Sequence, residues 1–158
     1  MLFYRLIGGG IIILCGYAFG HFVSQEKERE LKQLEGFLAL IVHIRDMIDR
    51  YLMPIDLIFR ECDGRLIASC GVAGKVESFG ELLDGVELLL SPELCDELRR
   101  FADGLGHGWR ESQLRLCDDC ILRLSRERDR LVNDLPRSRR ASVTLAVCIS
   151  AGIAILFI

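Results

Sequence analysis

Two cysteines separated by two residues, Cys117 and Cys120, form the motif in this chain that could carry out redox or metal chemistry. Such a pair can close a reversible disulfide or supply half of a zinc site. A zinc site needs two further ligands, and the nearest candidates, Cys95 and His107, stand at unconvincing spacings. The pair also falls inside a predicted helix, away from the helix N-terminus that would lower a thiol pKa. We therefore expect no catalytic residue, no metal and no cofactor. A redox or metal-responsive membrane sensor built on Cys117 and Cys120 is the alternative function.

A second candidate is the glycine run Gly104, Gly106 and Gly108, which encloses His107. It lacks the strand before it and the helix after it that a phosphate-binding loop requires, so we reject a nucleotide site. His107 between glycines fits a pH-sensitive or ligand-binding loop, but a polar turn residue is the more frequent role. The sequence contains no basic stripe free of acidic residues, which argues against binding nucleic acid.

The distribution of charged residues along the chain predicts the structural elements that position these candidate residues. The chain is 51% apolar and 27% charged, with a mean hydropathy of +0.29. Residues 6–23 and 141–158 contain no Asp, Glu, Lys or Arg, while the middle holds every acidic residue and every basic one except Arg5. Each apolar run spans about 27 Å as a helix, enough for a thin bilayer core. We predict transmembrane helices at 6–23 and 141–158, around a cytosolic helical domain at 24–140.

The orientation follows from basic residues next to the predicted spans. Lys27, Arg29 and Lys32 follow the first span, and three arginines at 137–140 precede the second. Such residues stay in the cytoplasm, so the central domain is expected to be cytosolic. A cleaved signal peptide is the alternative for the first span, but it would export a domain with an odd number of cysteines.

Helix signals recur through the middle region. Apolar residues three and four apart predict a long helix over Ser24–Leu52, and Pro54 opens a short one at Ile55–Cys62. We predict further helices from Ser78 through Leu89, from a Ser91 hydroxyl cap to about Asp103, and over Trp109–Leu135, ended by Pro136. The buried stripe of the first helix is predicted at Leu31, Leu34, Leu38, Ile41, Ile48 and Leu52. That of the last is predicted at Leu114, Cys117, Ile121, Leu124, Leu131 and Leu135.

No stretch alternates in the way of a β-strand, so we predict an all-α fold. Its centre is a pair of long antiparallel helices, each joined to a span and covered by the short helices. Small residues in the spans predict that the two spans pack closely; they are Gly16, Gly20, Ala146, Ser150 and Ala154. A homo-oligomer is also compatible with such small-residue faces.

The pattern resembles a known family. Its first cytosolic helix carries Leu31-Lys32-Gln33-Leu34, then Leu38, Ile41 and Ile44, and leads to a turn at Pro54. Phe101, Leu105-Gly106 and Ser112-Gln113 precede and open the last helix. With a predicted span at each end, this order and spacing resemble the stage III sporulation protein AB family across essentially the whole chain.

The resemblance implies a function without covalent chemistry. Family members are similar to the cytoplasmic domains of inner-membrane platform proteins in type II secretion and type IV pilus systems. They are expected to act in a channel between mother cell and forespore, from the mother-cell side in the outer forespore membrane. The implied partners are a secretion-type ATPase, other channel membrane proteins and the lipid bilayer. For partner contact we choose exposed positions near the turn of the central domain: Arg99, Arg100, Asp103, His107 and Arg110.

Overall fold

The computed structural model describes the backbone of residues 2–72 and 74–156, and the side chains of 25–72, 74–134 and Thr144. This part of the chain contains six α-helices and no β-strand, which confirms the predicted all-α class. The helices are α1 Leu2–Tyr51, α2 Ile55–Glu61, α3 Gly64–Ser69, α4 Phe79–Asp84, α5 Pro92–Gly104 and α6 Arg110–Leu156.

The chain forms two compact units. Residues 1–29 and 130–158 make up one of them, and residues 30–129 make up the other, which we call the helical domain. Within the described residues, no helix contains a stretch both long enough and apolar enough to cross a membrane.

Apart from Thr144, the side chains of the predicted spans at 6–23 and 141–158 lie outside the described residues. The two spans therefore stay a prediction. So does their packing through Gly16, Gly20, Ala146, Ser150 and Ala154.

Ion pairs show how α1 and α6 run past each other in the helical domain. Arg45 of α1 contacts Asp118 of α6 at 2.6 Å. Asp49, one turn later in α1, contacts Arg110, two turns earlier in α6, at 2.5 Å. The two helices are therefore antiparallel here. Their core-facing sides bury Leu34, Phe37, Leu40, Ile41, Ile44 and Ile48 of α1 and Cys117, Cys120 and Leu124 of α6.

An aromatic cluster ties the short helices to α1. The ring of Phe79 in α4 lies 4.9 Å from that of Phe101 in α5, nearly edge to face. It lies 6.2 Å from Phe37 in α1 and 6.5 Å from Phe59 in α2. Edge-to-face pairs at these separations are favourable beyond the area they bury. One ring from each of four helices thus forms the centre of the core.

Gln33, a polar residue of α1, is buried and fully paired. Its Nε2 donates to the carbonyl oxygens of Cys70 at 3.2 Å and Glu87 at 3.0 Å. Its Oε1 accepts from the N–H of Leu89 at 2.8 Å. These groups belong to segments outside regular helices, where backbone polar groups otherwise lack partners. Gln33 therefore fixes two connecting segments against α1.

Gly36, one turn further along α1, permits the closest approach of another element. A Cβ atom at this position would lie 2.4 Å from the carbonyl oxygen of Ser69 in α3. Real Cβ atoms do not come so near a backbone atom. The absence of a side chain at Gly36 is what lets α3 pack directly on α1.

The predicted helix caps are confirmed at Ser78 and wrong at Ser91. The Ser78 hydroxyl accepts from the N–H of Glu81 at 3.1 Å at the start of α4. Ser91 makes no side-chain cap bond, although Pro92 does occupy the first turn as predicted. The prediction that α4 extends to Leu89 is also wrong: it ends at Asp84, because Gly85 terminates it.

Two boundaries of the long helices also differ from prediction. Leu52 is not part of the buried stripe: it follows the last residue of α1, has a φ of 52° and is 71% exposed. Pro136 does not end α6, which continues to Leu156. An internal proline costs about 3 kcal/mol but can kink a helix without ending it. Helix-favouring residues on both sides of Pro136 offset that cost.

Candidate docking surface

The turn between α5 and α6 is built around the side chain of Gln113. Its Oε1 accepts from the N–H of Gly106 at 3.0 Å, and its Nε2 donates to the carbonyl oxygens of Gly104 at 3.1 Å and of His107. Gly106 and Gly108 have φ values of 88° and 98°, which residues with a side chain rarely adopt. The glycine run therefore shapes a turn that a buried glutamine holds in place.

Arg110 joins this turn to the end of α1. Its Nε donates to the carbonyl oxygen of Ile48 at 3.4 Å, and its Nη2 donates to the carbonyl oxygen of Asp49 at 2.8 Å. The same Nη2 contacts the Asp49 carboxylate at 2.5 Å. The last carbonyls of a helix lack intrahelical partners, so a cation here satisfies them and interacts favourably with the helix dipole. Arg110, predicted as a partner contact, already has a role inside the domain.

The other residues predicted to contact a partner are exposed. Arg99, Arg100 and Asp103 lie on the outer side of α5, and His107 lies in the turn that follows. None of these four side chains takes part in a hydrogen bond or ion pair among the described residues. They are consequently accessible at the end of the domain that holds the α5–α6 turn.

Trp109 is the most exposed large apolar side chain in the described part of the chain, at 88%. In the sequence, Trp109 marks only the predicted start of the last helix. Tyr51 and Leu52, at the end of α1, are 64% and 71% exposed. Because Arg110, the residue after Trp109, is hydrogen-bonded to the end of α1, these apolar side chains belong to the same end of the domain. A tryptophan in an otherwise polar turn is the sequence signal that could have revealed these exposed apolar side chains.

A cavity of about 330 Å³ opens beside the turn. One wall comes from the α1–α2 connection and the other from the α5–α6 turn, with Arg110 and Gln113 between them. The lining residues from the α1–α2 connection are mostly apolar: Leu52, Met53, Pro54 and Ile55. The cavity is large enough for one or two side chains of a partner. We call Trp109, His107, Arg99, Arg100 and Asp103, together with this cavity, the tip surface.

Cys117 and Cys120 lie in the core, at 0% and 2% exposure. Burial raises the pKa of the Cys117 thiol to about 11, with a smaller contribution from Asp118. Burial likewise raises the pKa of Cys120 to about 12, helped by Glu97. Among the described residues, no group of three or more His, Cys, Asp or Glu side chains is placed to hold a metal ion. Both thiols are thus kept in the unreactive protonated form, which does not favour the sensor alternative.

This burial predicts slow chemical labelling. At pH 8 we expect Cys117 to react with iodoacetamide about a hundredfold more slowly than an unshifted thiol, because its thiolate fraction falls by that factor. Mass spectrometry of the native chain measures the rate at each cysteine, and the chain unfolded in guanidinium serves as the control. Rapid native labelling, or a Cys117–Cys120 disulfide formed under mild oxidation, would contradict the buried assignment and support a redox role.

Comparison with known proteins identifies the family. The family model described as stage III sporulation protein AB matches residues 5–158, nearly the entire chain. The chain belongs to this family. The resemblance found in the sequence is thereby confirmed, and a role in sporulation follows. Searches of curated proteins and of solved structures found no significant match.

Proposed function

We propose that this stage III sporulation AB family member is a non-enzymatic, membrane-anchored adaptor of a secretion-like channel between mother cell and forespore. In this proposal the tip surface docks a secretion-type ATPase. The observation that carries the docking step is Trp109, which is 88% exposed on a turn held by hydrogen bonds to the buried Gln113. Large aromatic residues contribute most to protein interfaces.

The rigidity of the turn supports this assignment. Gln113 and Arg110 fix the backbone on both sides of Trp109, so a partner orders few new degrees of freedom on binding. Preorganisation of this kind increases affinity without adding contacts. The neighbouring cavity offers a partly apolar pocket lined by Leu52, Met53 and Pro54. The exposed Arg99, Arg100 and Asp103 supply charges on the tip surface. An aromatic anchor surrounded by polar residues is the usual composition of a docking site.

The proposed location rests on the sequence. Basic residues next to the predicted spans favour a central domain in the mother-cell cytosol, where an ATPase can reach it. The predicted spans favour a membrane location, and the family resemblance implies the outer forespore membrane, beside other channel proteins. Buried, protonated thiols agree with a chain that transmits or anchors and does no covalent chemistry.

The test is binding of the full chain to a purified secretion-type ATPase from the same organism. We expect a micromolar Kd that Trp109→Ala weakens about tenfold or more, as loss of an interface hot spot does. Charge reversal at Arg99 and Arg100 is expected to weaken binding further, while the helical circular dichroism signal stays unchanged.

The matched control is Leu89→Ala, which removes another exposed apolar side chain, 45% exposed, outside the tip surface. It is expected to leave the Kd unchanged. If Trp109→Ala binds as tightly as the unmodified chain, the tip surface is not the docking site. If the folded chain binds no ATPase at all, the adaptor role itself is wrong.

A further inference from the structure

The outward side of α6 carries an ordered row of charges around one apolar residue. Leu122 is 50% exposed, and its side of the helix is opposite the buried Gln113, Cys117, Cys120 and Leu124. Neighbours four and seven residues from Leu122 share that side, and all of them are exposed. We call this row the α6 stripe: Glu111, Arg115, Asp118, Leu122, Arg126 and Asp129.

The outward side of α1 has a matching organisation. Ala39 is exposed and Val42 is 38% exposed, and both lie opposite the buried face of α1. Charged residues precede and follow them at helical spacing. We call this row the α1 stripe: Lys32, Glu35, Ala39, Val42, Asp46 and Arg50.

A shallow groove of about 670 Å³ runs along the first half of the α1 stripe. Lys32, Glu35 and Ala39 line one side, and Leu66 and Ser69 of α3 lie on the other. The groove exists because α3 packs so closely on α1 at Gly36. Its mixed charged and apolar lining suits a row of helix side chains with an apolar centre.

Several charges of the two stripes lack partners within the domain. Lys32, Arg115 and Arg126 form no ion pair among the described residues, whereas Arg45, Arg110 and Arg123 each do. These three cations are unpaired in the described part of the chain, and each lies on a row that also carries acidic residues. A second surface with the opposite pattern of charge can therefore complement each row.

The two stripes are complementary when laid antiparallel. We propose that the α1 stripe of one copy of this chain packs against the α6 stripe of a second copy. In this register Ala39 and Val42 flank Leu122. Opposite charges then meet at four levels: Lys32 with Asp129, Glu35 with Arg126, Asp46 with Arg115, and Arg50 with Glu111.

The register also agrees with the internal geometry of the domain. Within one copy, Arg45 stands level with Asp118. In the proposed contact, Arg45 of one copy lies two residues along α6 from Asp118 of the other copy. This is an axial offset of about 3 Å. Two copies therefore stand side by side, at nearly the same height and pointing the same way. That is the arrangement that chains anchored in one membrane can adopt, and it leaves the tip surface of both copies open.

Zero-length cross-linking tests the contact directly. The chain has lysines only at positions 27, 32 and 75, so a carbodiimide, which joins an amine to a neighbouring carboxylate, gives few products. Full chain labelled with ¹⁵N is mixed with unlabelled chain in lipid vesicles and treated at low salt. We expect a Lys32–Asp129 cross-linked peptide pair with one labelled and one unlabelled partner. Its absence, or mixed-isotope cross-links confined to Lys75, would overturn the proposal.

Charge exchange gives a second, independent test. Glu35→Lys and Arg126→Glu each place like charges in contact, and each is expected to reduce the mixed-isotope Lys32–Asp129 product about fivefold. Combined in one chain they restore an opposite pair, so the product is expected to return to within about twofold of the original. Asp84→Lys makes the same charge change as Glu35→Lys at an exposed position outside both stripes, and should have no effect.

Each outcome of the exchange decides the proposal. Recovery in the double variant supports the α1–α6 contact, because only a direct contact between positions 35 and 126 predicts it. A double variant as weak as the single ones would overturn it. The proposal would also be overturned if Arg126→Glu reduced the Lys32–Asp129 product and Glu35→Lys did not. That result would indicate that two α6 stripes pack on each other. None of these variants alters the tip surface, so ATPase binding is measured separately.

Discussion

Gly36→Ala is expected to destabilise the helical domain by about 3 kcal/mol, at the upper end of what overpacking costs. The added Cβ would lie 2.4 Å from the carbonyl oxygen of Ser69 and 2.6 Å from its carbonyl carbon. These are backbone atoms, so the clash is relieved only if α3 moves away from α1. Thermal unfolding of the full chain, followed by circular dichroism, should show the melting temperature falling by about 10 °C or more.

Gly80→Ala is the matched control for this prediction. Gly80 also lies inside a helix, α4, but the nearest atom to its added Cβ is the Ser78 Oγ at 4.0 Å. Alanine favours the helix over glycine, so this variant is expected to be neutral or to gain up to about 1 kcal/mol. If both variants changed the melting temperature alike, the close packing of α3 on α1 would be wrong.

Gln33→Leu is expected to cost about 3 to 5 kcal/mol, because it leaves three backbone groups without partners, each worth about 1–3 kcal/mol when buried. These groups are the carbonyl oxygens of Cys70 and Glu87 and the N–H of Leu89. Leucine fills a similar volume, so the loss is one of hydrogen bonding and not of packing. Chemical denaturation measures the free energy, and hydrogen exchange at Leu89 reports the freed N–H.

The neighbouring Lys32→Ala provides the control, since Lys32 is exposed and forms no ion pair among the described residues. We expect a change within about 0.5 kcal/mol. Gln33→Glu separates the two halves of the interaction: it keeps an acceptor for Leu89 but has no donor for the two carbonyls. If Gln33→Leu were as stable as the original chain, the fixed connections at 70 and 87–89 would be disproved.

Helical periodicity was enough to predict the long helices and part of their buried faces, although Leu31, Leu38, Leu114, Ile121 and Leu131 are only half-buried. Leu34, Ile41 and Ile48 are buried where the stripe of α1 placed them, and Cys117 and Leu124 are buried in α6. A buried face is encoded by spacing alone, because residues three and four apart must share a side of a helix. The Ser78 cap was predictable for the same reason, since its chemistry is local.

Boundaries that depend on several competing local effects were predicted less well. Leu52 fitted the apolar spacing, but the chain leaves the helix at Tyr51 and turns through a positive φ. Pro136 carries a strong stop signal, yet the surrounding sequence favours helix and α6 continues. Helix propensity describes the preference of one residue at a time. The end of a helix depends on the summed preferences of all the residues in the surrounding turn.

The tip surface was predicted only in part. Exposure of Arg99, Arg100, Asp103 and His107 followed from their position near a turn. That Arg110 instead satisfies the carbonyls of Ile48 and Asp49 depends on a residue pair 61 or 62 positions apart, which no local pattern specifies.

By itself, the sequence determined the helical class, the antiparallel layout of two long helices, the family and the structural character of the cysteine pair. All of these rest on composition, periodicity and motif order, which are properties of the chain in one dimension. Only the tertiary structure decided what Gln33, Gly36 and Gln113 do, and which faces stay open around Trp109 and Leu122. Their roles depend on which backbone atoms of distant segments come within hydrogen-bonding or van der Waals distance, and that is settled only when the whole domain packs.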